Sequence, residues 1–558
     1  MQASAPWRTL LIAAAYTTSP APKACSYYST MTSAATSNSD DDQFTTSSHP
    51  TAPTGALPKP MLARQRDKEA AEKEGRAPPP KAQYFPLPYK EAASQWWASL
   101  APAVTEHKIM TFIPYLQRPP TAAVPGSDPA SKNASASTSG LEVDKTGDAT
   151  IQRTNSVHDP FGPRQWQSEM VQLKGKNRYL NEFSVERIGE EVDNNLVMLH
   201  GYGAGLGFFY KNFEALTRFP NWKLYALDML GMGRSSRPPF SVKAKDREGK
   251  AREAESWFVD ALEEWRQKRG IEKMTLLGHS MGGYMAVCYA LKYPGHLNKL
   301  ILASPVGIPE DPYAVSDDAP EPESSTMQNE VTQSGDETAG RSQGRQQPSR
   351  RKMPWWLTTL WDANISPFSL VRYAGPLGPR LVSGWTSRRF SHLPDDEAQA
   401  LHDYSYSLFR QRGSGEYALA HILAPGAFAR SPLIRRIQGV GRQFLDTHTE
   451  PSPDNAAANP AQRLRETGIP IVFMYGENDW MDIKGGYASA EILKAEQKKA
   501  LANATEKERK LENGDVKVVT IRKAGHHVYL DSPDHFNEEI AQEMADVEKR
   551  QKRLKDAV

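Results

Sequence analysis

Gly278-His279-Ser280-Met281-Gly282-Gly283 stands between the apolar run Met274-Thr275-Leu276-Leu277 and the helix-forming stretch Tyr284 to Lys292. A short strand-type run that breaks on glycine and restarts as a helix puts the serine on a sharp strand-to-helix turn. Small residues are needed two places before and two places after it, because side chains there collide with neighbouring backbone. The bare pattern recurs by chance, but in this setting it reads as a nucleophile, Ser280. The helix beginning near Met281 also aims its free N–H groups at the same point.

Working outward, the same alternation repeats. Asn195 to Leu199 and Trp222 to Asp228 are short apolar runs before the serine, and Ala251 to Lys268 is an amphipathic helix between the second of them and Met274. Leu300 to Ala303, Ile469 to Tyr475 and Val516 to Ile521 supply three more runs. Apolar runs of this length alternating with helices predict a mostly parallel sheet with helices on both faces. Sheets of that kind bind ligands beyond the carboxyl ends of their strands. The chemistry-bearing motifs fall there.

His200-Gly201-Tyr202-Gly203-Ala204-Gly205 follows the first run and offers backbone N–H groups to a developing oxyanion. The expected donors are the N–H of Met281 and that of Tyr202, with Gly203 as the alternative; His200 reads as structural. The spacing is not that of a dinucleotide-binding loop. Gly525-His526-His527 follows the last run, and the base is a neutral imidazole on such a loop. His526 is chosen, with His527 in reserve. Tyr475-Gly476-Glu477-Asn478-Asp479-Trp480-Met481-Asp482 offers the orienting acid: Asp479, with Asp482 as competitor and Glu477 as a surface or turn residue. The chain order Ser280, Asp479, His526 is that of α/β-hydrolases.

These motifs, with Asp228-Met-Leu-Gly-Met-Gly-Arg-Ser-Ser236, Ser414-Gly-Glu416, Arg430-Ser-Pro432 and His526-x4-Asp531, give residues 180–545 a clear likeness. A weaker echo lies at 83–105. The chain resembles the α/β-hydrolase subfamily of cardiolipin-specific deacylases, N-acyl-phospholipid lysophospholipases and the lipid-droplet lipase coactivator. The resemblance implies a phospholipid substrate, cardiolipin favoured, cleaved through an acyl-enzyme on Ser280. It implies an acyltransferase signature in the HxxxxD pair His526 and Asp531, unless Asp531 only caps the helix starting near Pro533. The coactivator branch lacks a serine at the elbow, so Ser280 argues for an enzyme over a non-enzymatic lipase regulator.

Composition bounds the rest. The 558 residues would allow three or four domains, at roughly 150 residues each. Tracts 40–82, 119–160 and 309–350 are too polar and too rich in Pro, Ser, Gly and Asp to offset the entropy of ordering, and read as disordered. Residues 1–39 contain no Asp or Glu, and read either as a mitochondrial transit peptide or as a plain tail. The expected organisation is a helical segment at 83–118, an α/β core at 161–308 and 467–558, and a helical cap at 351–466.

Within the cap, helices are expected around Trp355, Trp356 and Trp361, at 370–373, at 396–410 and at 417–428. Its tryptophans either pack on the core or face lipid, and Arg372, Arg380, Arg388 and Arg389 are candidates to meet a phospholipid headgroup. Trp96-Trp97 sits on a helix that packs on the main domain or touches a membrane. A net charge of +2 gives no sign of nucleic-acid binding. Two cysteines exclude a disulfide framework, no metal or organic cofactor is expected, and peripheral membrane contact is.

Overall fold

The computed structural model describes residues 85–116, 150–153, 159–310, 361, 364–424, 428–445, 464–502 and 504–557. The expectations for 1–39, 40–82, Trp355 and Trp356 lie outside them, as do those for most of 119–160 and 309–350. The strands are β1 (Thr150–Arg153), β2 (Arg164–Gln172), β3 (Tyr179–Arg187), β4 (Asn194–Leu199), β5 (Trp222–Leu227), β6 (Met274–His279), β7 (Leu297–Ala303), β8 (Pro470–Gly476) and β9 (Asp515–Ile521). They form one sheet in the order β1-β2-β3-β5-β4-β6-β7-β8-β9, parallel from β5 to β9 and antiparallel from β1 to β5.

Strand β4 shows why the parallel part reads as unbroken apolar runs. Leu196 and Met198 enter one core cluster and Val197 and Leu199 the other, so both faces of the strand are covered. Helices α4 (Arg247–Lys268), α5 (Met281–Lys292) and α10 (Ile483–Ala502) cover one face. Helices α3 (Tyr210–Leu216) and α13 (Pro533–Ala557) cover the other, the latter through Phe536, Ile540, Met544 and Val547 at helical spacing. Buried Lys299 of β7 reaches Glu543 and Asp546, 2.6 Å from each, and ties α13 to the sheet.

Preceding the sheet are α1 (Tyr89–Ala98) and α2 (Pro102–Met110). Between β7 and β8 come α6 (Pro367–Tyr373), α7 (Gly378–Arg389), α8 (Asp395–Phe409) and α9 (Leu419–Ile422). Two short helices, α11 (Glu506–Leu511) and α12 (Val528–Asp531), complete the α-helices among the described residues. Helices α1 and α2 lie across this cap: Gln95 Nε2 donates to Asp403 Oδ1 at 2.8 Å, and the Thr105 and Ser407 hydroxyls are 2.8 Å apart.

Four expectations need correction. The tract 119–160 includes β1, whose residues pair with β2 from Thr150↔Ser168 to Arg153↔Gln165. Strands β2 and β3 were not anticipated, because polar side chains break their apolar pattern. The helix expected at 417–428 stops at Ile422, and Leu423 pairs with Ala429 as an antiparallel bridge. Helix α7 was also missed, since Gly378, Pro379 and Gly384 argue against a helix by propensity. Pro379 is tolerated because it occupies the first turn.

No helix among the described residues is long and apolar enough to cross a membrane.

Candidate active site

The strand order reverses between β5, β4 and β6, and the crevice at such a switch point is where open α/β sheets place ligands. Leu199 of β4 pairs with Gly278 of β6, so the loop after β4 and the turn after β6 leave the sheet side by side. Ser280 takes φ 52°, ψ −114°, a left-handed, strained conformation for a residue with a side chain. A Cβ on Gly282 would lie 2.5 Å from the Leu199 carbonyl oxygen, and one on Gly278 2.5 Å from the Gly282 carbonyl carbon. The pattern of small residues is therefore a packing requirement of the turn.

His526 bridges the other two members. Its Nε2 is 3.1 Å from Ser280 Oγ and its Nδ1 3.1 Å from Asp479 Oδ1. Asp479 leaves β8 and His526 follows β9, and the two loops meet because Gly476 has no side chain: a Cβ there would be 2.5 Å from the Ala524 carbonyl oxygen. Burial alone would raise the Asp479 carboxyl, but the charge and hydrogen bond of His526 outweigh it and hold the group below the usual carboxylate range. An ionised Asp479 accepts from Nδ1–H, which leaves the Nε2 lone pair facing the serine hydroxyl. The Trp480 ring lies 4.8 Å from the His526 ring and covers it.

The alternatives are placed elsewhere. Asp482 is exposed and accepts the Lys484 N–H at 2.9 Å, at the start of α10. Glu477 is exposed and accepts the Lys523 N–H. His527 is buried and burial holds its pKa well below the ordinary imidazole value. His200 is likewise buried, its pKa lowered to about 4, and its Nε2 accepts the Met229 N–H at 3.1 Å.

Met281 is the first helical residue of α5, where an N–H has no partner one turn back. Tyr202 follows Gly201, whose added Cβ would be 3.2 Å from Ser280 Cβ, so the backbone here passes close to Ser280. The Tyr202 ring stacks on Phe368 of the cap at 5.1 Å.

Several contributors escaped the sequence reading. His279 donates from Nε2 to the His526 carbonyl oxygen at 3.0 Å, bracing the loop that carries His526. Asp228 holds the loop after β4: its carboxylate accepts the N–H groups of Leu206 and Arg234 and the Asn181 side-chain amide, each at 2.7 Å. Glu106 of α2 reaches the same cluster through Arg234 and through Asn181 at 3.0 Å. The glycine-rich stretch around Asp228 was a signal for Asp228; nothing in the sequence near Glu106 marked it.

Burial, offset in part by Arg234, pushes the Glu106 carboxyl up to about 7 from 4.5. Between those values the folded protein keeps a proton that the unfolded chain has lost, so this group lowers stability as pH rises through the window. Chemical denaturation at pH 5, 6, 7 and 8 should show the wild type losing stability relative to Glu106→Gln up to about pH 7, and no further change above it. A constant difference across the series would contradict this.

The cap arginines are not free to meet a headgroup as expected. Arg372 is paired with Glu416 at 2.6 Å, Arg380 lies over the Tyr89 ring at 4.2 Å, and Arg389 pairs with Asp531 at 3.3 Å. Arg388 is also engaged. Trp361 packs against the core, and its Nε1 donates to the Leu423 carbonyl at 3.2 Å. Asp531 does not cap the next helix; it belongs to α12 and accepts the Gly525 N–H at 2.9 Å.

The alpha/beta hydrolase fold model matches residues 194–326. The chain is 31% identical over 374 residues to a 1-acylglycerol-3-phosphate O-acyltransferase of Arabidopsis thaliana, covering 65% of this chain and 69% of that one. It is 31% identical over 350 residues to human 1-acylglycerol-3-phosphate O-acyltransferase ABHD5, covering 62% and 76%. A (lyso)-N-acylphosphatidylethanolamine lipase of Bos taurus is 31% identical over 358 residues, covering 63% and 79%.

Proposed function

The chain belongs to the α/β-hydrolase family, in a branch whose relatives carry lipid acyltransferase and lipase names, and from that premise we propose that it is a serine acyl hydrolase of phospholipids. The observation that carries the reading is the single imidazole, His526, in hydrogen-bond reach of both Ser280 and Asp479. Ser280 Oγ attacks the acyl carbonyl carbon as its proton passes to His526 Nε2. The N–H groups of Met281 and Tyr202 hold the tetrahedral oxyanion. Its collapse breaks the bond to the glycerol oxygen, which takes the proton from Nε2, and lysophospholipid leaves. Water then attacks the acyl-enzyme, gives a proton to Nε2, and the fatty acid departs as Ser280 recovers its own.

A lysophospholipid hydroxyl in place of water turns the second half into acyl transfer through the same residues, the reading that the acyltransferase names of the relatives favour. The substrate is presented at a membrane surface. Support comes from two helices that both pack on α7 and expose large apolar side chains: Trp97 (81% exposed) and Tyr89 on α1, Tyr373 (89%) and Leu370 on α6. Cardiolipin is the favoured lipid, which rests on residues 1–39 directing the protein to mitochondria.

Purified protein offered vesicles of mixed phospholipids, with products read by mass spectrometry, tests the reaction. Free fatty acid and lysophospholipid are expected, cardiolipin falling fastest, with acylated acceptor appearing when lysophospholipid is added. A panel left intact by a folded protein would rule the reading out. Diffuse signal from a reporter fused to residues 1–39 would remove the reason for cardiolipin.

A further inference from the structure

The loop carrying His526 is held by one hydrogen bond at each of three successive residues. The Ala524 carbonyl accepts the Asn478 N–H at 2.9 Å, the Gly525 N–H donates to Asp531 Oδ2 at 2.9 Å, and the His526 carbonyl accepts from His279 at 3.0 Å. The first partner stands on the loop of Asp479, and the third is the last residue of β6, next to Ser280. The second leads away from the sheet. Asp531 Oδ1 and Oδ2 lie 3.3 and 3.4 Å from Arg389 Nη2, at the end of α7 in the cap, and His392 Nε2 is 3.7 Å from Oδ1. The Asp531 and Arg389 side chains are 8% and 15% exposed, so their charges are matched within the protein. Both ring nitrogens of His526 are already engaged, by Ser280 and Asp479, which leaves Asp531 no nitrogen to serve.

We propose that Asp531, paired with Arg389, is a positioning residue that fixes the loop of the base to the cap, and is not a second acid acting on His526 in acyl transfer. This rests on the reading of Ser280 as a nucleophile activated by His526. The sequence signature His526-x4-Asp531 then has a mechanical meaning: one helical turn past the base, a carboxylate accepts the N–H just before it and carries the link across to α7. Seating of the cap and aim of the imidazole are joined through two side chains. Reaction geometry is sensitive on this scale, since a displacement of about 1 Å at the reacting atoms can cost on the order of a hundredfold in rate.

The test uses the full chain and a fluorophosphonate probe, which reacts with a base-activated serine whatever the natural substrate. Asp531→Asn keeps an acceptor for Gly525 but loses the charge facing Arg389; Arg389→Gln loses it from the other side; Arg389→Lys retains it. In protein shown to be folded at the assay temperature, the limiting rate of labelling should fall about tenfold in Asp531→Asn and Arg389→Gln, with the probe's binding constant unchanged. Arg389→Lys should recover to within about threefold, and the double variant should be no slower than the slower single one, because both break one link. An acid that serves only transfer to an acceptor leaves labelling at the wild-type rate, so a folded Asp531→Asn labelled as fast as wild type overturns the proposal. If that variant does not fold, Arg389→Gln decides by the same criterion. A wild type that resists the probe while folded would instead sink the hydrolase reading, and this inference with it.

Discussion

Replacing Ser280 with Ala should lower ester hydrolysis by about 10^4-fold or more while leaving the thermal melt within a few degrees of wild type. The magnitude follows from serine hydrolases in which loss of the nucleophile alone costs as much as loss of the whole triad, with only the oxyanion donors and substrate binding left to act. The fold should tolerate the change, because the strain at φ 52° belongs to the backbone turn and alanine supplies the same Cβ. Hydrolysis of a soluble nitrophenyl ester, measured beside the lipid panel, separates two outcomes. Loss of both activities fits one nucleophile serving both. Retention of either at more than about one-hundredth of the wild-type rate would mean that some other group performs it.

Asp479→Asn should be nearly as damaging, lowering the rate about 10^4-fold, because the amide favours the wrong imidazole tautomer and offers no charge to the imidazolium. Asp482→Asn should stay within about twofold of wild type: that carboxylate is exposed and accepts a backbone N–H at the start of α10. The pair of variants, assayed side by side on the nitrophenyl ester, discriminates between two acids only three residues apart. A larger defect at Asp482 would reassign the acid and require the loop after β8 to rearrange when substrate binds.

The core was legible because buried parallel strands announce themselves as apolar runs, and Val197 and Leu196 facing opposite clusters explain why no polar alternation interrupts them. The loops of Ser280 and His526 were legible because close backbone approach imposes glycine: Gly278 and Gly282 around Ser280, Gly476 opposite Ala524. Strands β2 and β3 were not, since Glu182, Ser184 and Asn181 are buried polar residues in β3. Trp265 and Arg269 donate to Glu182, and Asp228 and Glu106 accept from the Asn181 amide, partners that only the fold brings near. The paired roles of Arg389 and Asp531 were hidden for the same reason. Charges 142 positions apart leave no local trace of one another.

Ser280 and His526 are separated by 246 positions, and the strands that deliver Asp479 and His526, β8 and then β9, add one after another to the edge left by β7. A ribosome therefore completes the turn carrying Ser280 long before Asp479 and His526 exist to meet it. Until β9 has docked, the half-made chain carries Ser280 without the imidazole that pairs with it.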